Sequence, residues 1–231
     1  MGPDPVPELH PDAVVRFYKS DMVLWVCSDA SYLSEPKARS AVGGHHFCSD
    51  RLKNPNEAPK PDDPPPLENG PVHVACETLK EVVSSAAEAE TGGLFYNGKE
   101  ATPLRIALEE MGHPQPPTPM ETDNTTAHGI ANDTVKQKRS KAMDMRYYWI
   151  RNRVRQKQFH IYWRKGKYNR ADFHTKHHPP THQRKMRPAY LYEESNPNRN
   201  YFQVLQEEDD DEQRDDTTNS LVEYDATGEG V

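Results

Sequence analysis

Apolar residues in this chain fall in short runs between long polar and proline-rich stretches, and the period inside each run assigns its element. Met22–Cys27 is almost continuously apolar and too short for a helix, so it predicts a strand covered on both faces, with Asp29 at its end. Ser31–Ser40 is polar and predicts a turn, and Gly43-Gly44 opens or bulges a second strand near Ala41–Cys48. Asn54–Pro71 holds prolines at 55, 59, 61, 64, 65, 66 and 71. No strand ladder tolerates that density, which predicts an exposed loop, partly polyproline II, returning the chain to a strand at Val72–Ala75.

From Leu79 to about Tyr96 the period changes to that of a helix. Leu79, Val82, Val83, Ala86, Glu90, Gly93 and Leu94 share one side at i, i+3, i+4 spacing. Glu90 therefore lies in the apolar stripe, whereas Glu88 falls with Ser84, Ser85, Thr91 and Gly92 on the wet side. A carboxylate in a buried stripe is costly unless it is paired or binds metal, which singles out Glu90.

Thr102-Pro103 reads as the cap and first turn of a further helix, ended by Gly112, and Pro114–Pro119 as a break. Met120–Thr122 predicts a short central strand ending at Asp123, and Asn124 caps a helix over Thr125–Ile130. A helix from Ser140 to about Gln156 carries Met143, Tyr147, Ile150 and Val154 on one face. Phe159–Trp163 alternates with period two, a strand. Lys165–Arg170 is a basic turn, Asp172 opens a last helix, and beyond Pro179-Pro180 the pattern gives no clear element. Three strands by hairpin, then strands reached through helices, predict a mixed α/β sheet with Asp29, Glu90 and Asp123 clustered near its middle.

An apolar content of 34% and a mean hydropathy of −1.00 cannot order every residue. They predict a disordered segment at 1–13, one domain over 14–191 interrupted by the proline-rich loop 54–71, and a disordered acidic tail at 192–231. The net charge of −7 hides two opposed blocks. Residues 207–231 hold eleven acids against Arg214, which leaves +3 for residues 1–206, and Lys136–Arg170 holds thirteen Lys or Arg with Asp144 as its one acid. A basic band of that kind predicts a nucleic-acid surface, with Lys138, Arg139, Lys141, Arg164, Lys165 and Lys167 as its phosphate contacts.

Three cysteines without CxxC spacing argue against a cysteine zinc site and fit a reducing compartment. His177, His178 and His182 lack a second pair that would complete a zinc site. With no apolar run of ~20 residues and no signal-peptide pattern, the expected location is intracellular.

Five segments together carry a resemblance. They are Ser28-Asp29-Ala30-Ser31-Tyr32, Ser84-Ser85-Ala86-Ala87-Glu88-Ala89-Glu90, Thr122-Asp123-Asn124, Lys138–Tyr147, and Asn169-Arg170-Ala171-Asp172-Phe173-His174-Thr175-Lys176. In this order they resemble the ribonuclease H domain of copia-type LTR retrotransposon polyproteins, over roughly Val14 to Leu191.

The resemblance implies a ribonuclease H-like α/β fold, a five-stranded mixed sheet with flanking helices. It also implies an Asp-Glu-Asp-Asp site that maps to Asp29, Glu90, Asp123 and Asp172, holds two Mg²⁺ (or Mn²⁺) ions and cuts the RNA strand of an RNA·DNA hybrid. In that setting Asp29 bridges both ions, Glu90 and Asp123 flank it, and Asp172 holds the second ion. The partners implied are the hybrid and the reverse transcriptase and integrase portions of the same element, with no membrane. The compartment implied is the cytoplasm, in a virus-like particle, or the nucleus.

No Tyr-x-Asp-Asp motif occurs, so the chain resembles a C-terminal piece of such a polyprotein or a reading frame derived from one. Two departures stand out. Lys165–Arg170 lacks the general-base histidine that cellular relatives carry before the last acid, and Thr91-Gly92-Gly93 stands where a bulky residue is usual. The rival readings are a catalytically idle nucleic-acid-binding module and a non-functional retroelement remnant. An integrase-like strand transferase shares the fold and metals but uses a late glutamate, whereas Glu90 sits on the first long helix.

Overall fold

The computed structural model describes residues 13–61, 63, 65–67, 69–135 and 144–192. Its elements are β1 (Val23–Ala30), β2 (Ala41–Ser49), β3 (Pro71–Thr78), α1 (Ala86–Glu110), β4 (Thr118–Thr122), α2 (Thr125–Ala131), α3 (Asp144–Arg155), β5 (Phe159–Trp163) and α4 (Pro180–Tyr190). The chain divides into two compact units, Arg16–Pro179 and a smaller one that joins Met1–Val15 to Pro180–Val231. In the smaller unit α4 forms with Pro180 as its first residue, where a missing N–H costs nothing, and Val14 pairs with Tyr192. No clear element was expected beyond Pro179-Pro180; α4 corrects that. Of the expected disordered segments 1–13 and 192–231, residues 1–12 and 193–231 lie outside the described residues, and no described helix is long and apolar enough to cross a membrane.

The larger unit is a five-stranded sheet in the order β3-β2-β1-β4-β5. β1–β2 and β2–β3 are antiparallel, while β4 lies parallel to both β1 and β5. This is the ribonuclease H-like architecture expected, a mixed sheet with flanking helices. Alternate residues of β1 feed different cores. Leu24 and Val26 pack with Leu94, Met120, Ile150, Phe159 and Ile161 on the helical side, and Val23, Trp25 and Cys27 pack with Phe47, Tyr162 and Ala171 on the other. Every β1 and β2 residue is buried, as an apolar run covered on both faces requires.

Several boundaries differ from the sequence reading for identifiable reasons. Helix α1 begins at Ala86 and not Leu79, because Ser85 caps it by accepting from the Glu88 N–H. The Glu88 carboxylate then accepts from Ser84 N–H (2.8 Å) and Ser84 Oγ (2.7 Å), which commits that acid to the helix entry. Ahead of the cap the chain is not helical: Leu79 and Val83 are buried while Val82 is 64% exposed. Thr91 and Gly92, placed by periodicity on the wet side, are buried, Gly92 against Leu79.

No second helix starts at Thr102-Pro103; α1 runs through both. Thr102 Oγ1 donates to Gly98 O (2.8 Å), and Pro103 faces solvent, where the carbonyl its ring deprives of a donor meets water. Pro119, read as part of a break, is the second residue of β4, ahead of the β1 pairing that starts at Met120. The 54–71 loop is mostly exposed as expected, but Pro59 and Asn69 are buried, and Asn69 brackets Tyr18 through its N–H and C=O.

Candidate metal centre

Strand geometry sets two of the acids level. Cys27 of β1 lies opposite Glu121 of the parallel β4, so two residues further on Asp29 and Asp123 meet on the same face of the sheet. The third comes from α1, which approaches closely because Gly93 has no side chain: a Cβ there would lie 3.3 Å from Ala30 Cβ and Asp29 O. That approach delivers Glu90, whose Oε1 accepts from Ala30 N–H (3.2 Å) and whose Oε2 accepts from Thr122 Oγ1 (3.3 Å). One oxygen from each of Asp29, Glu90 and Asp123 falls within 4.8 Å of the others. Among the described residues this is the one group of three or more His, Cys, Asp or Glu side chains so placed.

Asp172 reaches the same neighbourhood without joining that group. It lies in a 3-10 turn, Arg170–His174, not at the start of an α-helix. Asn169 caps the turn, accepting from Ala171 N–H (3.0 Å) and donating to Ser28 O (2.8 Å). Just past the turn the Thr175 hydroxyl donates to Asp29 Oδ2 and lies 3.0 Å from Asp172 O. The turn is thus fastened to β1 at both Ser28 and Asp29. The Asp172 side chain is 26% exposed and pairs with Lys176.

The electrostatics follow from crowding anions in a half-dry site. Burial first, then the charges of Asp172 and Asp123, push the Asp29 carboxyl up to about 6 against the hydrogen bond from Thr175. Burial and the charges of Asp29 and Asp123 hold Glu90 well above the ordinary glutamate range. Asp123 is raised by burial and by Asp172. Burial opposes the charge of Lys176, but the hydrogen bond and charge of Asp172, with Asp29 and Asp123 behind it, raise its ammonium above the ordinary lysine range.

Behind the cluster lies an acid the sequence reading missed. Glu121 is buried on the same face as Asp123, its Oε2 accepting from Tyr162 OH (2.8 Å) and lying 3.9 Å from Arg164 Nε. Burial lifts it to about 7 against the pull of Arg164. Arg164, expected to hold phosphates, is a correction: its side chain is 5% exposed, enclosed by Glu121, the Tyr162 ring and Asp63 O. A guanidinium so enclosed cannot meet a backbone phosphate. Lys165 and Lys167 are exposed beside Asp123, whereas Lys138, Arg139 and Lys141 lie outside the described residues. In this loop Gly166 touches the Asp123 carboxylate, and Trp163 Nε1 donates to Asp123 O (2.7 Å).

Signals for the missed residues were present. Glu121 is one strand period before Asp123, and Thr175 and Lys176 stand three and four residues after Asp172, one helical turn away.

No family model and no curated protein matches the chain. Several solved structures are similar, two of them as follows. An RNase H1 isolated from compost by a metagenomic approach shares 11% identity over 66% of this chain and 92% of that one, with a TM-score of 0.47. The N-terminal RNase H domain of a Mycobacterium tuberculosis protein, fused to maltose-binding protein, shares 13% over 67% and 91%, with a TM-score of 0.42. At such values the functional reading has to be carried by the chain's own residues.

Proposed function

We propose that this chain is a metal-dependent ribonuclease H, hydrolysing the RNA strand of an RNA·DNA hybrid, in the setting of a copia-type retrotransposon Pol. One observation carries the reading. Three carboxylates from β1, α1 and β4, distant in sequence, converge within 4.8 Å, with a fourth acid close enough to raise two of them. Such a group repels itself, and a fold does not gather it without compensation.

The donor set fits hard divalent ions. Its oxygens are all carboxylate, which Mg²⁺ and Mn²⁺ prefer, and no cysteine or histidine belongs to it. Asp29, Glu90 and Asp123 would hold the first ion, and Asp29 with Asp172 the second. Bound ions supply an activated water and neutralise charge on the phosphate.

The chain's own residues do the rest. Ala30 N–H and Thr122 fix the Glu90 carboxylate, Thr175 fixes one oxygen of Asp29, and Gly166 leaves room for Asp123. Lys165 and Lys167, exposed on the loop beside Asp123, hold phosphates of the hybrid. Contacts to the 2′-hydroxyl select RNA over DNA.

The test is labelled RNA·DNA hybrid with Mg²⁺, beside single-stranded RNA and duplex DNA. The expected result is scission of the RNA strand of the hybrid alone, abolished in Asp29→Asn with hybrid binding retained. Full-rate cutting by Asp29→Asn would remove this centre from the reaction. Tight hybrid binding with no product from the wild type would assign the chain as a binding module.

A further inference from the structure

Three of the acids of the site, Asp172, Asp29 and Asp123, face a cation of the protein's own. Thr175 is held on Asp29, so the next residue, Lys176, is delivered to the rim of the cluster, where its ammonium pairs with Asp172 Oδ1. Its positive charge also acts on Asp29 and Asp123, lowering both carboxyls. Of the other cations nearby, Arg164 lies on Glu121 and Tyr162 and Arg170 on Phe47 and His45, in the layer beneath, while Lys165 and Lys167 are exposed on the loop beside Asp123.

We propose that Lys176 is the resident counter-ion of the carboxylate cluster, and that a divalent ion entering beside Asp172 must displace it. The inference rests on the reading of the cluster as a metal site. Two features make the lysine a removable occupant. Its side chain is 56% exposed, so its four-carbon stem can swing into water without uncovering core. Its anchor, the Asp172 carboxylate, is also the group that would hold an incoming ion. An ammonium and a divalent cation on one carboxylate repel each other by about twice the energy of a unit pair. Loading the Asp172 side is therefore an exchange of one cation for another, and the ion at that position binds more weakly than its ligands alone would dictate. While no divalent ion is bound, the same lysine keeps the acids from forcing the turn at Asp172 away from β1.

The experiment titrates MnCl₂ calorimetrically into the full chain as wild type, Lys176→Met, Lys176→Arg and Glu90→Gln, and melts each in EDTA. Lys176→Met is expected to bind Mn²⁺ about tenfold more tightly than wild type, the order of effect that one removed charge at contact distance produces, and to melt lower in EDTA. Lys176→Arg keeps the charge and should stay within about threefold of wild type in affinity. Equal or weaker Mn²⁺ binding by Lys176→Met, while Glu90→Gln still loses the ion, would sink the lysine's role and leave the metal site standing. No uptake by either wild type or Lys176→Met would overturn both.

Discussion

Asp123 owes its position to a side chain that is not there. A Cβ on Gly166 would come 2.5 Å from Asp123 Oδ2, closer than two non-bonded atoms can stand. The clash is with the far end of a side chain and not with backbone, so Gly166→Ala should fold and push the carboxylate aside. A misplacement of ~1 Å in a catalytic group costs ~10²-fold in rate. Hybrid cleavage by Gly166→Ala is therefore expected to fall by at least tenfold, with the melting temperature within about 3 °C of wild type, since a surface-loop change of this kind costs little more than ~0.5 kcal/mol. Unchanged cleavage would mean that Asp123 need not sit where Gly166 lets it.

At the scale of elements, the site depends on how closely α1 lies on the sheet, and Asn97 sets that as much as Gly93 does. Asn97 is fully buried, two turns beyond Glu90, and donates to Ser28 Oγ (3.0 Å) and Gly43 O (2.9 Å), tying the helix to β1 and β2 at once. Asn97→Ala leaves Gly43 O without this donor and opens a cavity, at a cost of ~2–4 kcal/mol. That should lower the melting temperature by about 5–15 °C, and a smaller loss would mean that helix packing alone holds the register.

This scale also separates what could be read along the chain from what could not. The strands were legible because β1 and β5 write their burial in their own residues, and Glu90 was separable from Glu88 because one lies in an apolar stripe. The start of α1 was not, since Leu79 and Val83 are apolar for a different reason, packing ahead of a cap that Ser85 and Glu88 make. Pro103 and Pro119 misled because their cost depends on which side meets solvent or a neighbouring strand, a tertiary fact. Arg164 read as a phosphate ligand because a basic run does not disclose that one of its members turns inward onto Glu121.

Over the whole molecule, pH acts through two opposed sets of buried groups. Burial holds the imidazoles of His45 and His46 below the ordinary histidine range, the latter at about 4. They stabilise the fold above the ordinary histidine range and lose that contribution as pH falls through their lowered values. The carboxylates work the other way. Asp29 binds its proton more tightly folded, at about 6, than unfolded, where 3.8 is the ordinary value. The unfolded chain therefore releases the proton first, and Asp29's contribution is complete below pH ~4 and lost as pH rises through ~6.

A melting curve of the wild type against pH mixes both effects, but the difference from Asp29→Asn isolates the second. Asparagine cannot ionise and still offers an oxygen to Thr175. Each tenfold change in proton affinity is worth ~1.4 kcal/mol, so in EDTA at pH 7.5 the ionised cluster costs the wild type ~2–3 kcal/mol that the variant is spared. Asp29→Asn should accordingly melt about 4–10 °C above wild type at pH 7.5, with the gap closing towards pH 4. Saturating Mn²⁺ should shrink or reverse the gap, because an ion that binds only the folded wild type adds stability by mass action. A variant no more stable than wild type in EDTA at pH 7.5 would show that gathering these acids imposes no cost on the fold. The reason for assigning them to a cation would then be gone.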